Sequence, residues 1–143
     1  MSGEFCDTNV IVYAYDSSAG AKREQAMRLM NRLWETSAGI LSVQVLQELF
    51  VTLTRKVAQP LPLPQARQLV SDLATWPVFA PDSADVLEAI DGTARWQISF
   101  WDAMLVTAAR KAGANLIWSE DLNDGQQYDG VTVRNPFRAA TVV

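Results

Sequence analysis

Residues 5–14, Phe5-Cys6-Asp7-Thr8-Asn9-Val10-Ile11-Val12-Tyr13-Ala14, pass from an apolar, strand-like run directly into a helical one, with an aspartate at the change. In an α/β fold this junction sits at the carboxyl end of a strand, where the ligand-binding crevice opens. Three more acids occupy comparable frames: Glu48 in residues 41–50 (LSVQVLQELF), Asp102 in residues 98–109 (ISFWDAMLVTAA) and Asp121 in residues 116–126 (LIWSEDLNDGQ). Each follows a strand-like run or lies near the start of a helical one. Four carboxylates gathered in an apolar crevice oppose one another's ionisation unless a cation is present. Mg2+ or Mn2+ suits such an all-oxygen set. The pattern predicts a metal-dependent hydrolase.

Working outward, short apolar runs at Glu4–Cys6, Gly39–Leu41, Pro77–Ala80, Asn115–Trp118 and Val131–Val133 predict five strands. Helical stretches separate the first four. In 21–36, Ala26, Leu29, Met30, Leu33 and Trp34 recur at helical spacing opposite Lys22, Arg23, Arg28 and Arg32. Residues 43–56, 64–75, 83–96 and 101–112 read as further helices, with Pro64 in a first turn and Gly113 as a C-terminal cap. The alternation predicts a mainly parallel sheet with crossover helices. There is no repeat and no convincing linker, so residues 1–143 are expected to form a single domain.

Composition narrows the chemistry. The 143 residues are 49% hydrophobic and 20% charged, which suits one folded core. No apolar run approaches the roughly 20 residues that span a bilayer. The N-terminal MSGEF lacks a signal-peptide pattern, so no membrane association and a cytoplasmic location are expected. The single cysteine, Cys6, reads as a small buried hydrophobe. Histidine is absent, which excludes Ser-His-Asp triads and His-based zinc sites. Carboxylates, hydroxyls, Lys, Arg and metal-activated water remain. A net charge of −4 argues mildly against a general nucleic-acid binder, yet 12 basic residues are enough for a local stripe.

Each acid also has an ordinary structural reading. Asp7 suits an N-cap. Glu48 suits a solvated helix face, although its apolar flanks also allow an inward position. Ser99-Phe100-Trp101-Asp102 matches a capping box. Asp121 suits a polar turn that ends in Gly125.

Taken together, Asp7-Thr8-Asn9, Ser42 with Gln47-Glu48, Ser99-Phe100-Trp101-Asp102-Ala103 and Ser119-Glu120-Asp121 resemble the PIN-domain family in order and spacing, over essentially the whole chain. The resemblance is strongest to its VapC-type toxins. It implies a three-layer α/β/α sandwich whose five-stranded, mainly parallel sheet has the order 3-2-1-4-5. It also implies a Mg2+-dependent endoribonuclease, with Mn2+ as a substitute ion. Asp7, Glu48, Asp102 and Asp121 would hold the metal, Asn9, Ser99 and Ser119 would orient these acids, and Asp124 would be an extra acid. RNA as substrate, a cognate antitoxin and a homodimer are the partners implied.

Substrate grip is expected from Arg55 and Lys56. Arg55 lies seven residues after Glu48, almost two turns on, though a helix C-terminal pair would serve the dipole equally. Lys22, Arg23, Arg28 and Arg32 read as a solvated face. Trp101 fits either a base-stacking or a core position. Two other classes stay open: a catalytically idle PIN-like module, and a carboxylate-based phosphatase, whose second aspartate would stand where Asn9 does.

Overall fold

In the computed structural model, which describes residues 3–138, the first strand, β1 (Gly3–Cys6), occupies the middle of a six-stranded sheet. It pairs in parallel with β2 (Gly39–Ser42) on one side and with β4 (Ala114–Trp118) on the other. β3 (Val78–Phe79) continues the sheet beyond β2, and β6 (Val131–Arg134) continues it beyond β4, both in parallel. The expected order 3-2-1-4-5 is therefore present. The chain builds outward from β1 on one side, then returns to build on the other. Between β1 and β4 the order reverses, which in open α/β sheets makes the crevice where ligands bind.

The sixth strand is an addition to the expected five. β5 (Gln127–Tyr128) pairs antiparallel with β6 at the sheet edge. Its two-residue loop, Asp129-Gly130, has positive φ at both positions, 51° and 93°. That is the backbone a tight hairpin requires, and Asp-Gly is a sequence that adopts it.

Helices α1 (Thr8–Tyr15), α2 (Ala21–Thr36), α3 (Val43–Arg55), α4 (Leu63–Leu73), α5 (Ser83–Trp96) and α6 (Phe100–Lys111) complete the α/β/α arrangement. α1 packs on α2 and α3, while α5 packs on α6, which lies on β4. One core joins these layers through Phe5, Ile11, Leu29, Leu41, Leu49, Val106 and Ile117, all fully buried. Each such side chain contributes about 1.5–3 kcal/mol by leaving water. Cys6 is buried among them, and burial pushes its thiol pKa upward. Among the described residues no helix is long and apolar enough to cross a membrane.

The basic face expected on α2 is only partly solvated. Arg32 donates two hydrogen bonds to Glu4, at 2.7 and 3.1 Å, and Trp118 Nε1 donates a third at 2.8 Å. These bonds hold the Glu4 carboxyl below its usual range despite partial burial. Lys22 pairs with Glu120 at 2.8 Å.

Gly39 marks a close approach in this packing. A Cβ there would lie 2.3 Å from Trp76, whose ring packs edge-on against Trp34 with centroids 5.1 Å apart. Gly39→Ala should therefore destabilise the fold by about 1–3 kcal/mol in thermal denaturation, through overpacking. Adding Trp76→Leu should recover much of the loss, and an undiminished penalty in the double variant would locate the strain elsewhere.

Candidate active site

The site starts with β1. Its last residue, Cys6, stands in register with Trp118 of β4, and the Asp7 amide donates to the Trp118 carbonyl at 2.9 Å. The strand ladder thus carries one residue past β1 and fixes Asp7 at the switch point. Asp7 is also the N-cap of α1, its Oδ1 accepting from the Thr8 amide at 2.7 Å. Its Oδ2 accepts from the Ser119 hydroxyl at 2.9 Å. Ser119 Oγ in turn accepts from the amides of Asp121 and Leu122, at 3.1 and 3.3 Å. One hydroxyl therefore ties the end of β1 to the loop after β4.

The other acids reach the same cleft from different elements. Thr8 Oγ1 donates to Glu48 at 3.1 Å, and Gln44, one turn earlier on α3, donates at 3.4 Å. Asn9 Nδ2 donates to Asp121 at 3.2 Å. Asp102 enters on the first turn of α6. Ser99 caps that helix by accepting from the Asp102 amide at 3.1 Å, but Asp102 makes no return bond to Ser99. The reciprocal capping box occurs instead at Asp82 and Asp85 on α5. The Asp102 carboxylate is thus left for the cleft, which measures about 440 Å³ and is walled by Asp7, Asn9, Glu48, Asp102 and Asp121.

Electrostatics single out Asp7. Burial pushes its carboxyl up to about 7 against the pull of its two hydrogen bonds, and the charges of Asp121 and Glu48 add to the rise. Among the described residues no lysine or arginine forms an ion pair with Asp7, Glu48, Asp102 or Asp121. Nor do any three acids there stand as a ready-made metal-ligand cluster. The donors are nevertheless all carboxylate oxygen, and the one basic residue lining the cleft among the described residues, Lys56, forms no ion pair with them. That fits Mg2+, which keeps several of its waters and takes few protein ligands.

The remaining expected residues divide. Lys56 lines the cleft and Arg55 does not, because the wall of α3 runs along the four-residue ridge Gln44, Glu48, Thr52 and then Lys56. Asp124 faces away, accepting from the Asn135 amide at 2.8 Å and approaching Arg138 at 4.0 Å. Thr8, Gln44 and Thr52 are cleft residues that sequence reasoning missed; the i±4 spacing of Gln44 and Thr52 about Glu48 was the available signal. Glu120 was missed too. It accepts from the Tyr13 hydroxyl and from Lys22, whose ammonium lies 4.9 Å from the Tyr13 ring centroid and 5.3 Å from that of Phe137. A larger depression of about 730 Å³ runs along α2 past Arg23 and Arg28 and shares no lining residue with the acidic cleft.

The PIN-domain family model matches residues 5–126. The chain belongs to the PIN-domain family. Its PIN fold also resembles several solved structures. One is VapC20 of Mycobacterium tuberculosis, a sarcin-ricin loop cleaving toxin, with a TM-score of 0.62 and 22% identity over 83% of this chain and 92% of that one. A toxin–antitoxin complex from Klebsiella pneumoniae gives 0.70 and 15%, covering 95% and 98%. FitAB bound to a DNA fragment gives 0.68 and 15%, covering 94% and 96%. No curated protein sequence matches the chain. In this PIN domain the buried acid is the one just past the end of the central strand, with the other three around the rim of the cleft.

A stability test follows from the Asp7 carboxyl. Between the ordinary value of 3.8 and about 7, the folded chain keeps a proton that the unfolded chain has lost. This contribution is complete below the lower value and is lost as pH rises through the upper one. In EDTA, the neutral isostere Asp7→Asn should therefore gain on the wild type with rising pH, exceeding its Tm by about 3 °C or more at pH 8. A Tm difference that stays flat from pH 4 to 8 would mean that Asp7 does not carry a costly buried charge.

Proposed function

We propose that this PIN domain is a divalent-metal-dependent endoribonuclease and the toxin of a toxin–antitoxin pair, located in the cytoplasm. One observation carries the reading: Asp7 is buried beneath the carboxylates of Glu48 and Asp121 with no ion-pair partner among the described residues, so the cleft favours an added cation over its own charges. Two structural neighbours support it, since one is a sarcin-ricin loop cleaving toxin and another a toxin–antitoxin complex.

Asp7, Glu48, Asp102 and Asp121 would hold Mg2+ or Mn2+, as one ion or two. A bound ion supplies Lewis-acid activation of water and neutralises charge on the phosphate. The chain's own residues do the positioning. Ser119 and the Thr8 amide fix both oxygens of Asp7, Thr8 and Gln44 aim Glu48, and Asn9 steers Asp121. Lys56 stands on the rim, placed to meet a phosphate of the bound strand. With no histidine to take a proton, water is the attacking group, and the products carry 5′-phosphate and 3′-hydroxyl ends. The protein partners of this reading are an antitoxin and a second copy of the chain.

Mg2+ or Mn2+ should raise the Tm by mass action, and Asp7→Ala should remove most of that gain along with RNA cleavage. Asp102→Asn should fold normally and lose cleavage, since its carboxylate is not spent on the helix cap. Full activity of the wild type in excess EDTA would sink the metal-dependent reading.

Rim contacts separate by salt. Lys56→Ala should weaken RNA binding across sequences and flatten its salt dependence by about one unit of slope, measured with Ca2+ to limit cleavage. Arg55→Ala should change both much less. Equal effects at the two positions would show that the groove does not follow the ridge from Glu48 to Lys56.

A further inference from the structure

Trp101 has a position that the acid site does not explain. It is 63% exposed on the first turn of α6, immediately before Asp102. Its ring is propped edge-on by Phe100, with centroids 5.0 Å apart at 74°. An indole left in water forgoes the gain of burial, so an exposed one held by a neighbour calls for a reason. Trp101 forms a shared wall: on one side lies the acidic cleft, on the other a separate hollow of about 390 Å³. That hollow is apolar, lined by Val43, Val86, Phe100 and Met104. Gln44 also borders both spaces, while Gln47, on α3, borders only the hollow, and its side-chain amide makes no hydrogen bond among the described residues.

We propose that this hollow is a nucleobase subsite, in which a base of the strand whose phosphate lies in the acidic cleft stacks on Trp101 and meets the amides of Gln44 and Gln47 at its edge. The proposal rests on the endoribonuclease reading and extends it to a second site on the same strand. A nucleotide has the two surfaces needed here, an anionic phosphate and a flat apolar base joined by a short linker, and the two spaces share a wall. Stacking on an aromatic ring tolerates every base, since each has a π-face. The amides add donors and acceptors that prefer some base edges to others. Trp101 would thus grip, and Gln47 would bias the choice.

The test uses the full-length protein, with Ca2+ replacing Mg2+, and a short fluorescein-labelled single-stranded RNA beside its abasic counterpart, which keeps the ribose-phosphate chain. Fluorescence anisotropy should show the wild type favouring the base-bearing strand by roughly tenfold. Trp101→Ala should abolish most of that preference and Trp101→Phe should keep it, with Tm values confirming that both variants fold. Val86→Asp, which places a charge on the hollow wall away from the acids, should weaken the base-bearing strand selectively. Gln47→Ala should alter the ranking of oligo-A, oligo-U and oligo-C while leaving binding of the abasic strand unchanged. The proposal is overturned if the wild type binds both strands alike, or if Trp101→Ala retains the full preference. It is equally overturned if Trp101→Ala changes only the oligomeric state in gel filtration, or only binding of a protein partner, because the hollow is then a protein interface. Cleavage of the same RNA with Mg2+ or Mn2+ is scored separately. Base-dependent binding without cleavage would refute the nuclease and leave the subsite standing, whereas cleavage that is indifferent to Trp101 would do the reverse.

Discussion

A carboxyl group forced into the interior at the end of the central strand is the constraint around which this molecule is organised. Asp7 cannot leave its position, because its amide continues the pairing of β1 with β4 and its side chain caps α1. Water cannot solvate it well, so the protein supplies the Thr8 amide and the Ser119 hydroxyl instead. Those two bonds decide where α1 begins and how the chain turns after β4. Glu48 and Asp121 then face Asp7 through Thr8 and Asn9, the next two residues of the same turn. A tripeptide therefore orders acids that lie far apart in sequence. Buried polar groups bonded in this way are costly to rearrange, which makes the site rigid as well as charged.

Much of this was legible in the sequence because the elements are strongly patterned. The helices of residues 21–36 and 83–96 have the expected limits, since each combines apolar residues at helical spacing with a clear terminus. The parallel strands followed from their apolar runs, and their order follows once the resemblance to the PIN domain is granted. What escaped was local and geometric. The β5–β6 hairpin was announced by Asp129-Gly130, but two-residue strands offer no periodicity to read. Which neighbour of a helical acid shares its cleft depends on the tilt of the side-chain ridge, so Lys56 and Arg55 could not be separated by counting turns. Asp124 looks like Asp121 in sequence; only the fold shows it turned toward the Asn135 amide.

The same comparison shows why capping and chemistry are hard to tell apart in a sequence. Asp7 is at once an N-cap and the buried acid of the cleft. Ser99-Phe100-Trp101-Asp102 has the spelling of a capping box, yet only the serine half is formed. Asp82 and Asp85 form the complete one, away from the lining of the cleft. The same spacing serves both purposes. What separates them is whether the second carboxylate is spent on the backbone.

The cluster of Tyr13, Lys22, Glu120 and Phe137 bears on where the working unit ends. Phe137 lies past the limit of the family match at residue 126, beyond the last strand, yet its ring packs edge-on against Tyr13 with centroids 5.1 Å apart. Tyr13 and Lys22 grip Glu120, the immediate neighbour of Asp121. Phe137, after β6, is therefore joined by contacts to the loop that delivers an acid to the cleft. A domain boundary drawn where the family pattern stops would cut through this chain of contacts, which ties Phe137 through Tyr13 and Glu120 to the loop that carries Asp121.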